Sequence, residues 1–76
     1  MRCYRRDTAV FVERHLKDGL ILTAIKESAI EYLGLPESCF SFKLLTFWTT
    51  MRITLPDVEQ AIFVEGWVRQ YFPSPG

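Results

Sequence analysis

Apolar residues fall into four runs along this chain, separated by sparse punctuation at Gly19, Gly34, Pro36 and Pro56 and ended by PSPG at 73–76. In the first run, DTAVFVERHLKDG, helical spacing puts Ala9, Val12 and Leu16 on one stripe, flanked by Phe11 and His15. Asp7 is placed to cap its start, and Gly19 to close its end in a left-handed conformation. The second run, LILTAIKESAIEYLG, gathers Ile21, Leu22, Ile25, Ala29, Tyr32 and Leu33 on one face, with Thr23, Glu27 and Glu31 opposite. Gly34 and Pro36 then stop the helix.

The third run, CFSFKLLTFWTTMRI at 39–53, fits two periods. Alternation holds over Phe40–Leu44 and Met51–Leu55, but Leu44–Leu45 and Phe47–Trp48 interrupt it. A hairpin there needs a turn within TFWTT, which holds none of the residues turns prefer. At 100° per residue, Phe40, Leu44, Phe47, Trp48, Met51 and Leu55 share one broad face, and the spacing predicts a helix. The fourth run, TLPDVEQAIFVEGWVRQYF, starts with a capping Thr54 and carries Ala61, Val64, Trp67, Val68, Tyr71 and Phe72 on its apolar face.

The expected fold is therefore a compact all-α domain with helices at 7–18, 20–33, 37–51 and 55–72. Residues 1–6 are expected as a frayed basic terminus and 73–76 as a flexible tail. The alternative is α+β, with 40–45 and 51–55 paired as a short hairpin. No internal repeat is visible.

Composition narrows the function more than the fold. A single domain of 76 residues with 49% hydrophobic content is not a disordered chain. Its zero net charge argues against a general nucleic-acid binder. The opening MRCYRRDTAVFVERH lacks the apolar run of an export signal, and no later run reaches membrane-spanning length. A cytoplasmic location, with no membrane partner and with Cys3 and Cys39 reduced, is expected; a Cys3–Cys39 bridge is the alternative.

Chemistry is scarce. His15 has no Ser or Cys at motif spacing, the glycines are isolated, and Glu27 and Glu31 lack a third metal ligand. No catalytic residue, metal or cofactor is expected. What remains is apolar surface left over once each helix has its core face: Val10, Ile30, Phe42, Ile53, Val58 and Ile62. The leading expectation is a non-enzymatic interaction module, an adaptor, inhibitor or regulator that meets another protein or a second copy of itself. Its contact residues would be Phe42 and Ile53, then Val10 and Ile30. The alternative is a small DNA-binding regulator built on the helix-turn-helix cadence AIEYLGLPESCFSFKLL, with Arg2, Arg5, Arg6 and Lys43 as its cations.

Overall fold

Val10 and Val12 decide the first run. On a helix they would lie 200° apart, yet both are fully buried, as the two-residue period of a strand places them. In the computed structural model, which describes residues 2–15 and 19–72, the chain is α+β. Strands β1 (Arg2–Arg6) and β2 (Ala9–His15) precede helix α1 (Gly19–Leu33); strands β3 (Phe40–Leu44) and β4 (Trp48–Thr54) precede helix α2 (Val58–Tyr71). A short 3-10 turn, Glu37–Cys39, leads into β3.

The strands form one antiparallel sheet in the order β1-β2-β4-β3. β2 and β3 thus run parallel on either side of β4 and, with α1 between them in sequence, make a split β-α-β unit. One sheet face packs on the helices. Val10, Val12, Met51 and Ile53 from the sheet meet Leu22 and Ile25 of α1 and Ala61, Val64 and Val68 of α2 in the core.

Two of the four expected helices are corrected. Residues 7–18 are not helical where described: Asp7 and Thr8 turn between β1 and β2, and 16–18 lie outside the described residues. Gly19 opens α1 rather than closing an earlier helix. Residues 37–51 form the 3-10 turn, β3 and part of β4, because Thr49, Met51 and Ile53 bury on one face at period two. The all-α fold is thereby overturned, and the hairpin of the α+β alternative is the arrangement found. Its second strand begins earlier than expected, at Trp48. Leu45 N–H donates to Trp48 C=O at 2.7 Å, closing a two-residue turn at Thr46 and Phe47. The helices expected at 20–33 and 55–72 are α1 and α2. The second starts later because Asp57, not Thr54, caps it: Asp57 Oδ1 accepts from Gln60 N–H at 2.8 Å. Gly34, at φ 69°, takes the left-handed position that ends α1. Arg2–Arg6, expected as frayed, are an edge strand; the expected tail at 73–76 lies outside the described residues.

The two halves repeat each other at an offset of 39 residues. The turn at 7–8 recurs at 46–47, and β2 (9–15) recurs as β4 (48–54). The buried helix positions correspond as well: Leu22, Ile25 and Ala29 match Ala61, Val64 and Val68 (22→61, 25→64, 29→68). Val12 pairs directly with its own counterpart Met51, so a pseudo-two-fold axis passes between β2 and β4 at that pair. The sequence conceals the repeat. Between 2–33 and 41–72 the matched residues are identical only at Leu16/Leu55, Asp18/Asp57 and Tyr32/Tyr71.

Candidate functional site

Two surfaces are left once the core is closed, and strand alternation decides what each displays. The first is the sheet face away from the helices. Cross-strand register aligns Arg2, Glu13, Thr50 and Lys43 in one row and Tyr4, Phe11, Arg52 and Ser41 in the next. The Tyr4 and Phe11 rings stack at 5.2 Å with 14° between their planes, and the Arg2 guanidinium lies 4.7 Å from the Tyr4 ring centre. Arg2 also approaches Glu13 at 3.6 Å, and Tyr4 Oη donates to the same carboxylate at 3.1 Å. Further along, Trp48 meets His15 edge to face at 5.9 Å. Two shallow recesses open on this face, each with an aromatic ring and a cation. One of about 330 Å³ is lined by Arg2, Glu13, Leu45 and Trp48. The other, of about 340 Å³, is lined by Phe11, Ser41, Phe42, Lys43, Thr50 and Arg52.

Charge is segregated between the layers. Among the described residues, the open face carries Arg2, Arg6, Lys43 and Arg52 against Glu13. The helix side, among the described residues, carries Glu27, Glu31, Glu37, Asp57, Glu59 and Glu65 against Arg5, Arg14, Lys26 and Arg69. The open face is thus net basic and the helix side net acidic.

The second surface is the β3 edge and its hairpin. Counting the antiparallel ladder from the Leu45–Trp48 bond, Phe40, Phe42 and Leu44 direct their backbone N–H and C=O groups away from β4. No strand pairs with that edge among the described residues. Phe42, Leu44, Leu45, Phe47 and Trp48 are all exposed, Leu44 to 73% and Phe47 to 66%. The opposite edge is shielded. β1 carries Arg2, Arg5 and Arg6, and the Arg69 guanidinium of α2 donates to the outward carbonyl of Cys3 at 2.7 Å.

A third recess, about 460 Å³, lies between the helices and is lined by Ser28, Tyr32, Trp67, Tyr71 and Phe72. Ser28/Trp67 and Tyr32/Tyr71 are counterparts at the 39-residue offset, so this recess straddles the pseudo-axis.

Of the four expected contact residues, only Phe42 is exposed; the Lys26 ammonium sits 5.7 Å from its ring centre. Ile53 and Val10 have no exposed surface and pair with each other across β2 and β4 in the core. Ile30 is half-buried on α1. Of the expected cations, Arg2, Arg6 and Lys43 share the open sheet face, while Arg5 lies on the other face and donates to Asp7 C=O at 2.8 Å. The helix-turn-helix is ruled out, since its second helix is β3. A helical reading of these runs does not bring Tyr4, Phe11, Trp48 and Arg52 together. The alternation of β1, β2 and β4 carries the signal for them.

Cys3 and Cys39 are unbridged. Burial pushes the Cys3 thiol above its ordinary value, against the opposing pull of the Arg69 guanidinium. A thiol raised by folding contributes its stability fully below the unfolded chain's pKa and loses it as the pH climbs through the folded value. At pH 8, Cys3 is therefore expected to react with iodoacetamide more slowly in the folded protein than in urea. Mass spectrometry of the labelled peptide checks this; equal rates would contradict a desolvated thiol.

No helix among the described residues is long and apolar enough to cross a membrane. Comparison with protein families, curated proteins and solved structures finds no match. Any functional reading therefore rests on these surfaces.

Proposed function

We propose that this chain is a non-enzymatic interaction module that self-associates through the edge of β3. One observation carries the reading: the β3–β4 hairpin exposes five large apolar side chains within seven residues, beside an unpaired strand edge. Such an edge is a template for another strand, and natural sheets protect it with charge or cover. Here the β1 edge has three arginines and the Arg69 contact, whereas the β3 edge has a single charge, Lys43, and no covering strand among the described residues.

A second copy fits this edge by its own sequence. Antiparallel pairing of two β3 strands about Phe42 sets Phe42 beside Phe42, and Phe40 beside Leu44 on either side. On the other face it sets Lys43 opposite Ser41, so no like charges meet. Covering Phe42, Leu44 and Phe47 removes on the order of 350 Å² per protomer, taking 150–250 Å² for a large side chain. A standard interface takes about 800 Å² per partner, so the contact suits a reversible dimer.

Sedimentation velocity across a concentration series tests the proposal. The wild-type chain is expected to move from monomer to dimer as concentration rises. Phe42→Asp, which sets two carboxylates together at the axis, is expected to stay monomeric with an unchanged far-UV circular dichroism spectrum. A wild-type chain that remains monomeric at about 100 μM, far above the micromolar range of weak specific complexes, would sink the idea. So would a Phe42→Asp chain that still dimerises.

A further inference from the structure

We infer that the open sheet face is a binding site for single-stranded nucleic acid. The inference uses the face of the sheet, which meets the edge proposed for self-association at Phe42, Leu45 and Trp48, so binding is measured below the concentration at which the chain dimerises. Three features of this face converge on such a ligand. Its charge is the first: Arg6, Lys43 and Arg52 have no acidic partner among the described residues, and Glu13, the one acid on the face, is engaged by Arg2 and Tyr4. A polyanion is the complement of that pattern, and the acidic helices on the far side orient its approach.

Ring placement is the second. Phe11 is stacked by Tyr4 on one side and forms a wall of the recess that holds Ser41, Lys43, Thr50 and Arg52 on the other. A planar base entering that recess meets an aromatic surface, with hydroxyls and cations around it. Trp48 and Arg2 repeat the ring-and-cation combination in the neighbouring recess. The third feature is spacing. Trp48 and Arg52, which mark the two recesses, are four residues apart on β4, about 13 Å along a strand. Bases about two nucleotides apart on an extended single strand would reach both recesses, where rings stack and cations follow the backbone. A duplex keeps its bases stacked and offers this face only phosphates.

Fluorescence anisotropy of the full chain tests the inference with three labelled probes: an oligo(U) RNA, an oligo(dT) DNA and a duplex of the same length. At low salt, at least one single strand is expected to bind more tightly than the duplex, and the first two probes separate an RNA site from a DNA site. Phe11→Leu keeps an apolar side chain in place but removes the ring, and is expected to weaken binding by about fivefold or more. Arg52→Gln and Lys43→Gln, both on exposed residues, are each expected to lower the slope of log affinity against log salt by about 0.7. The inference is overturned if no single strand binds at low salt, or if the duplex binds as well as the single strands. It is equally overturned if folded Phe11→Leu and Arg52→Gln chains bind as tightly as the wild type.

Discussion

Ile53→Asp is expected to leave the chain without a cooperative unfolding transition. Ile53 has no exposed surface, pairs with Val10 and Phe40 across two strands, and packs in the core beneath both helices. Removing a buried isoleucine side chain costs about 2–5 kcal/mol. An aspartate in its place adds a buried carboxylate with no cation or donor built to meet it, at several kcal/mol more. A domain of this length has roughly 4–11 kcal/mol in total, at 0.05–0.15 kcal/mol per residue. The loss exceeds or nearly equals that reserve. Thr54→Asp moves the same carboxylate one residue along β4, where the side chain is exposed on the open face. Its cost should stay within about 0.5 kcal/mol. Urea titration followed by circular dichroism reads both variants. If Ile53→Asp unfolds cooperatively with near wild-type stability, Ile53 is a surface residue and the sheet register is wrong.

The second large effect is Ile25→Ala, expected to cost about 2–5 kcal/mol. Ile25 is fully buried on the face of α1 that meets the sheet, and neither layer can collapse into the space without shifting the other. For a domain of 60–100 residues each kcal/mol moves the melting temperature by about 4–8 °C, so a drop of roughly 10 °C or more is expected. Ile62→Ala removes the same atoms from a position on α2 that is 51% exposed, and should cost well under about 1 kcal/mol. Thermal melts of the two variants separate burial from helix propensity, which the shared substitution holds constant. Equal melting temperatures would mean that α1 does not rest on the sheet.

The helices were legible because their buried residues follow one period without interruption: Leu22, Ile25 and Ala29, then Ala61, Val64 and Val68. The sheet was not, for two physical reasons. Val10 and Val12 lie in a strand whose other face carries Phe11, so the run VFV shows no polar alternation to betray it. The β3–β4 turn is the other reason. Neither Thr46 nor Phe47 has a positive φ, so that turn makes no demand for Gly, Asn or Asp and leaves no mark in composition. In the β1–β2 turn Asp7 does take φ 52°, but an aspartate before an apolar run is equally the mark of a helix cap. The candidate surfaces inherited these errors. Val10 and Ile53 looked like strays only because a helical wheel turned them outward. The same wheel turns Phe42 outward, and Phe42 is exposed at the edge of a strand.

The repeat about the Val12–Met51 pair has a consequence for the order in which the chain is written. Each half supplies one central strand, one edge strand and one helix, and the axis superposes each on its counterpart. The end of α2 already touches β1 through Arg69 and Cys3. A circular permutant that starts at β3 and finishes with α1, its old termini joined by a linker, would keep the ββαββα order and bury the same side chains. Topologically, the fold is indifferent to which half is made first. The sequence is not, because the edge strand of one half is basic and guarded and that of the other is largely apolar and uncovered.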